Sequence, residues 1–327
     1  MQSFRAFRIF DDNGKIAGRV VDATLDELSP GDVVIKAEAS SVNYKDALAG
    51  TGAGKIIRRF PLIGGIDVAG TVASSADPRF RAGDPVLVTG YDLGVAHDGG
   101  YAGFVRVPGD WVVPTPRALS AHDAMAIGTA GFTAALSLVD MEQNGLKPGQ
   151  GPVVVTGATG GVGSVAVQLL AARGYEVTAL TGKDDAHDLL RSLGAKDVLS
   201  RTTLQMGTKP LEKSLWAGAV DVAGGDTLAW LTRTMMYNGC IASSGLTAGT
   251  DLRTTVLPFI LRGVKLLGID SVMCPAEKRE AVWRRLATDL KPAGLRTIAT
   301  DIGLDGLPDA FATLLEGGAR GRFVVRM

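Results

Sequence analysis

Short apolar runs separated by turn residues fill the first third of the chain. From Phe4 to about Ala118 they include Val33-Val34-Ile35-Lys36-Ala37, Val68-Ala69-Gly70-Thr71-Val72 and Pro85-Val86-Leu87-Val88, divided by Gly, Pro and Asp. That texture predicts a twisted, partly closed β domain. Between Ser120 and Leu138 the period becomes helical, with Ser120 as N-cap and Asp123 three residues on. Gly145, Pro148 and Gly149 then form a loop.

Strands and helices alternate from there. Strand Val153 to Thr156 precedes helix Gly163 to Arg173, and strand Glu176 to Thr181 precedes helix Asp185 to Leu193. Further strands are expected at Asp197 to Leu199, Ala219 to Val222, Gly239 to Ser243 and Lys265 to Ile269. This order predicts an α/β fold, a doubly wound parallel sheet covered by helices on both sides. The chain ends strand-like at Arg322-Phe323-Val324-Val325-Arg326, so its C-terminus is expected to rejoin the first domain. The predicted division is 1–121 with 266–327, and 122–265 between them.

A length of 327 residues favours two domains. Acidic and basic residues balance at 34 each with no long block of either sign, which announces no nucleic-acid face. The two cysteines, Cys240 and Cys274, are too few for a four-ligand zinc site or a disulfide scaffold and suit a reducing compartment. No run approaches 18 uninterrupted apolar residues and Met1 to Phe10 lacks a signal-peptide pattern, so no membrane association and a cytoplasmic location are expected.

The candidate chemistry begins at Gly157-Ala158-Thr159-Gly160-Gly161-Val162-Gly163-Ser164, directly after Val153-Val154-Val155. A strand that turns through glycines into a helix offers main-chain N–H groups and a favourable dipole to a pyrophosphate. Thr159, Gly160, Gly161 and Val162 are therefore candidate cofactor contacts. Ala158 replaces the first glycine of the strict motif, and a tight strand-to-helix connection of another use would look similar. Lys183 lies 20 residues past Gly163, where an NAD-binding fold usually carries an acid. With Thr181 and Arg201 it is a candidate for the 2′-phosphate of NADPH, a solvated loop lysine being the other reading. Asp184 is expected to cap the next helix.

Other candidates are less specific from the residues alone. Ser243 to Leu246 lies at the carboxyl edge of the predicted sheet, where ligands bind in open α/β folds. Thr129 is either a ligand contact or a helix-packing threonine. Asn43-Tyr44-Lys45-Asp46, and Tyr91 with Asp92, place polar groups after strands, as orienting or proton-transfer groups or as ordinary loop residues.

Asn43-Tyr44-Lys45-Asp46, Gly64-Gly65-Ile66-Asp67-Val68-Ala69-Gly70, Gly128-Thr129-Ala130-Gly131-Phe132-Thr133-Ala134 and the glycine turn occur in an order that resembles the zinc-free quinone oxidoreductase branch of the medium-chain dehydrogenase/reductases. Lys55 to Pro61, Leu211 to Gly218 and Thr255 to Arg262 resemble, more narrowly, the subgroup that reduces acryloyl-CoA with NADPH. The resemblance implies a GroES-like β-rich catalytic domain and a Rossmann domain with a cleft between them. It implies no metal, because the zinc-binding cysteine and the His-Glu pair of the alcohol dehydrogenases have no counterpart near Asn43 and Ile66-Asp67. It also implies the reaction: hydride to the β carbon of an enoyl thioester, hydrogen bonds to the enolate oxygen, and a proton to the α carbon. Asn43 is then expected to orient the thioester or the cofactor carboxamide, and Tyr44 or a water to give the proton.

For the acyl-CoA substrate, Lys55, Arg58, Arg59 and Tyr91 are candidate contacts. Arg262 and Arg322 are expected to add charge, Arg322 also as a cofactor contact; solvated or structural roles are the alternatives for each. A homodimer is expected through Lys265 to Ile269 and Thr254 to Leu261. A general quinone or enone reductase and a non-catalytic NADPH-binding protein are the competing functions.

Overall fold

The computed structural model describes residues 3–327, which form two compact units. The first comprises residues 3–129, 272–287 and 295–327 of the described chain, and the second 130–271 and 288–294. The boundaries thus fall at 129/130 and 271/272 rather than 121/122 and 265/266. The physical reason is a break inside helix Ala121–Gln143, where Gly128 takes φ 52° and ψ −162°. The predicted boundary sat at the start of this helix, where the capping signal is visible: Asp123 N–H donates to Ser120 Oγ at 3.0 Å.

In the first unit, strand Val33–Val42 is the central piece of a seven-stranded sheet, with Asp67–Ser75, Phe104–Val107 and the C-terminal Arg322–Arg326 all antiparallel to it. Strands Ser3–Asp12, Lys15–Thr24 and Leu62–Ile63 make a smaller sheet. Phe7, Tyr101 and Phe311 pack edge-on or tilted with ring centroids 5.8 to 6.3 Å apart. Helix Tyr44–Thr51 docks on this cluster through Gly50, where an added Cβ would lie 2.4 Å from the Phe311 ring. Packing of large rings against a residue with no side chain fixes where the helix, and so its first residue Tyr44, must sit.

The second unit is a six-stranded parallel sheet in the order Asp197–Ser200, Val177–Thr181, Val153–Val155, Trp216–Asp221, Met235–Ser243, Lys265–Gly268. Numbered along the chain this is 3-2-1-4-5-6, the doubly wound Rossmann arrangement. The order reverses beside Val153–Val155, whose three side chains are fully buried. Its helix starts at Gly161, two residues before the predicted Gly163. The helix predicted over Asp185 to Leu193 is instead a 3-10 turn Asp184–Ala186 followed by His187–Ser192.

Helix Ala121–Gln143 is long and apolar enough to cross a membrane by composition, but 89% of its most apolar window is buried inside the protein. It is a core helix of the kind that fills the interior of a large fold.

The glycine turn separates two demands on glycine. A Cβ on Gly163 would stand 2.4 Å from Gly157 O and 2.7 Å from Ala158 Cα, both backbone, whereas one on Gly160 would meet Gly157 O at 3.3 Å. Gly163→Ala should therefore lower unfolding free energy by about 1–3 kcal/mol, as overpacking against backbone does. Gly160→Ala should cost less than half of that, and urea denaturation of the two variants measures the difference.

Candidate active site

The first residues that the fold assembles are polar and buried. Strand Val33–Val42 ends in Ser41 and Val42, Asn43 caps helix Tyr44–Thr51, and Asp67 opens strand Asp67–Ser75 in the same sheet. Asp67 is 0% exposed and its carboxylate accepts four hydrogen bonds. Ser41 Oγ donates at 2.5 Å, Asn43 Nδ2 at 2.8 Å, Thr129 N–H at 2.8 Å and Thr129 Oγ1 at 2.5 Å. The Thr129 N–H follows the break at Gly128, which removes its regular acceptor within the helix.

Arg322 closes the cluster from the C-terminal strand. It donates to Ser41 Oγ at 2.9 Å, Asn43 Oδ1 at 3.2 Å, and the carbonyls of Val42 and Ala126 at 3.1 and 3.2 Å. An added Cβ at Gly128 would lie 2.6 Å from Arg322 Nη2 and from Ser41 Oγ. Glycine at the break is thus a requirement of the charge cluster as well as of the positive φ. Between Arg322 and Asp67 the orientation of the Asn43 amide is set, because the reverse would point its carbonyl oxygen at a carboxylate.

Asp46 sits behind Asn43, 2% exposed, accepting the Asn43 N–H at 2.9 Å and the Ile66 N–H at 3.0 Å. Burial, and next the charge of Asp67, raise its pKa to about 7. Two buried acids share one buried cation, so burial and the like charge of Asp67 both favour the protonated form of Asp46. The Tyr101 hydroxyl donates to Ser41 O at 3.1 Å and is held well above its ordinary pKa by burial and by both carboxylates. Burial pulls Arg322 down from its ordinary value, against the opposing pull of Asp67 and Asp46.

Several expectations are corrected by this geometry. Arg322 is 3% exposed and committed to the cluster, so it is not a contact for a substrate or cofactor phosphate. Asn43, 8% exposed, spends its amide on Asp67, Asp46 and Arg322 and does not reach out to a thioester or carboxamide. Arg262 donates to the carbonyls of Arg233, Met235 and Glu212, clamping backbone inside the second unit, where a CoA contact was expected. Arg59 is held by Ala96 O at 2.8 Å, by Ser29 Oγ and by the buried Asp98 at 3.2 Å, a structural role. Sequence could not show these partners because, Asp46 apart, each lies at least 24 residues away.

Other candidates stay open to a ligand. Tyr44 is 38% exposed on the first turn of its helix. Lys55 is exposed, and among the described residues the Arg58 guanidinium pairs with Asp92 at 3.2 Å, an exposed contact that is weak and exchangeable. Tyr91 stacks on Trp111 with centroids 5.3 Å apart and planes 3° from parallel, beside a cavity of about 460 Å³ that Met273 and Arg279 also line.

In the second unit the glycine turn presents the N–H groups of Gly161, Val162 and Gly163 ahead of the first helical bond, Ser164 N to Gly160 O at 2.9 Å. Thr159 is 5% exposed beside them. These groups fit a pyrophosphate. Next to them, the Arg201 guanidinium lies 3.0 to 3.5 Å from where a Gly182 Cβ would be, so Gly182 gives that cation its place beside Lys183. Thr181 is 2% exposed and its hydroxyl accepts the Lys183 N–H at 3.1 Å, so it shapes the turn, where a direct ligand contact was expected. Asp184 accepts the Ser200 hydroxyl at 2.6 Å, with no capping bond, which replaces its expected helix-cap role. Ser243 ends its strand half-buried, and Leu246 is 57% exposed.

The residues missed from sequence are Asp67, Ser41 and Asp221. Asp221 is 0% exposed at the end of strand Trp216–Asp221, accepting Thr156 Oγ1 at 2.8 Å and Gly224 N–H at 2.9 Å. The available signal was an acid inside an apolar run, Ile66-Asp67-Val68-Ala69 and Ala219-Val220-Asp221-Val222, because a carboxylate there must be hydrogen-bonded. Among the described residues no group of three or more His, Cys, Asp or Glu is arranged to hold a metal ion.

Comparison with known proteins assigns the class. Residues 29–117 match the alcohol dehydrogenase GroES-like domain and residues 161–288 the zinc-binding dehydrogenase family. The chain belongs to the medium-chain dehydrogenase/reductases and is an oxidoreductase of that family. Within it the chain is 50% identical over 326 residues, 99% of each chain, to a Bacillus subtilis protein provisionally named quinone oxidoreductase YhfP. It is 46% identical over 316 residues, 96% of each, to the acrylyl-CoA reductase AcuI of Ruegeria pomeroyi. The Salmonella enterica yhdH oxidoreductase, solved with NADP, superposes with a TM-score of 0.97 at 48% identity over 99% of both chains. The YhfP structure, solved with NAD, also gives 0.97, at 49% identity over 100% of both chains.

The Asp46 proton has a measurable consequence. Its folded pKa, about 7, exceeds the ordinary 3.8, so between those values the folded state holds the extra proton. Stability should fall as pH rises from about 4 to about 7 and level off above. Asp46→Asn should flatten that slope even where it lowers the absolute stability, and urea melts at pH 5 and pH 8 read the change.

Proposed function

We propose that the protein is an NADPH-dependent acryloyl-CoA reductase that forms propanoyl-CoA. The observation that carries the reading is the exposed Tyr44 phenol, held on a helix start that buried Asn43, Asp46 and Asp67 lock in place. The whole-length likeness to an acrylyl-CoA reductase supports it. Bound NADPH supplies a hydride to the β carbon of the enoyl thioester. Tyr44 donates a hydrogen bond to the thioester oxygen as charge gathers there, and it or a water bound to it delivers the proton to the α carbon.

The N–H groups of Gly161, Val162 and Gly163 hold the pyrophosphate, and Lys183 with Arg201 holds the 2′-phosphate. One relative was crystallised with NADP and another with NAD, and in this reading the two cations carry the choice between them. Lys55 and Arg58 meet the CoA phosphates, Arg58 exchanging its exposed carboxylate partner for a phosphate. Tyr91, which lines its cavity, meets the pantetheine arm.

The protein self-associates through the edge strand Lys265–Gly268. That strand pairs on one side with Met235–Ser243, and nearby Tyr237, Val256, Ile260 and Leu261 are 53 to 73% exposed. A covered apolar edge avoids uncontrolled pairing.

One experiment tests substrate and cofactor together. Initial rates with acryloyl-CoA, crotonyl-CoA, free acrylate and benzoquinone, each with NADPH and NADH, should give acryloyl-CoA with NADPH the highest kcat/KM by at least tenfold over benzoquinone. A larger value for benzoquinone overturns the substrate assignment in favour of a quinone reductase, and NADPH binding without turnover of any acceptor favours a non-catalytic protein. In the same assay Lys183→Ala should raise the KM for NADPH about tenfold or more and leave that for NADH within about twofold, as loss of one phosphate ion pair predicts.

A further inference from the structure

We propose that Asp67 is a positioning residue for the reductase reaction, acting through the direction in which it holds the Thr129 hydroxyl. This rests on the reductase reading above but on none of its substrate assignment. Asp67 Oδ1 receives the Thr129 Oγ1 proton at 2.5 Å, while Oδ2 receives the Thr129 N–H, Ser41 Oγ and Asn43 Nδ2. All four groups are donors, so Asp67 is an acceptor on every side and the Thr129 proton is aimed at it. A threonine hydroxyl carries one proton and two lone pairs. With that proton fixed, Thr129 Oγ1 offers a ligand only acceptor capacity, complementary to an N–H such as a carboxamide or pantetheine amide.

The same carboxylate also holds the helix bearing Tyr44. Asn43, the cap of Tyr44–Thr51, gives its Nδ2 to Asp67, and Arg322 fixes the other end of that amide. Asp67 therefore fixes the Thr129 hydroxyl and the helix that carries Tyr44 from one buried point. Charged hydrogen bonds of this kind, buried and multiply made, hold geometry more firmly than neutral ones. The cost of burying the carboxylate is met locally by four donors, with Arg322 joined to it through Ser41 Oγ. The break at Gly128 exists in the same place, since Thr129 N–H can turn to Asp67 only where the helix is interrupted.

The test is a double-mutant cycle with Asp67→Asn, Thr129→Val and their combination, using whichever acceptor the wild type reduces fastest. Failure of acryloyl-CoA as substrate then changes the acceptor and leaves this test intact. Each single variant should lower kcat/KM about tenfold or more, and the combination should be within about threefold of the weaker single variant, because the second change removes a group already misdirected. Effects that multiply in the combined variant overturn the proposal, as does Asp67→Asn with kcat/KM within twofold of wild type. If Asp67→Asn does not fold, Thr129 decides: Thr129→Ser should keep kcat/KM within about threefold while Thr129→Val loses about tenfold. Equal activity of the Ser and Val variants overturns the proposal.

Discussion

A carboxylate at position 67 with no access to water constrains most of what the first unit can be. Asp67 opens a strand in the middle of a sheet, among apolar neighbours, and leaving its charge without partners would cost several kcal/mol. Its partners come from three separated parts of the sequence: the end of strand Val33–Val42 with the adjoining cap of helix Tyr44–Thr51, the break in helix Ala121–Gln143 and, through Ser41, the last strand. Each of those segments must arrive in register for the charge to be satisfied. The cluster thus specifies geometry, and the apolar packing of Phe7, Tyr101 and Phe311 around it supplies the stabilisation.

The second unit is organised by a different constraint, the need for bare backbone at the point where the sheet order reverses. Gly163 lets the helix lie against Gly157 and Ala158, and Gly182 lets a guanidinium lie against the end of the next strand. Both are cases where the functional feature is the absence of a side chain. Asp221 performs for this unit the task that Asp67 performs for the first: it ties the strand before the glycine turn, through Thr156, to the loop after Trp216–Asp221. Burial raises its pKa, while its hydrogen bonds act the other way.

What could be read from the sequence depended on range. The strand and helix pattern, the glycine turn and the place of Lys183 are local, set by residues within one or two elements, and they are visible in periodicity and turn chemistry. The Arg residues show the limit. Arg262, Arg59 and Arg322 look alike in sequence, as cations near candidate loops, and differ in the structure only because distant carbonyls and carboxylates claim them. Asn43 was legible as a site residue but not in its role, since its amide is turned inward by Asp67, 24 positions away. The acid in an apolar run was the one local sign of that arrangement.

In the proposed reaction, hydride from a nicotinamide cofactor enters the β carbon of an acyl-CoA thioester while the α carbon takes a proton from the site. Reduction of acryloyl-CoA with NADPH carrying deuterium at C4, in ordinary water, followed by NMR of the propanoyl-CoA, tests it most directly. Deuterium is expected at C3 of the propanoyl group when the transferred face is labelled, and none at C2. Deuterium at C2, or product free of label with both C4 epimers, would contradict it.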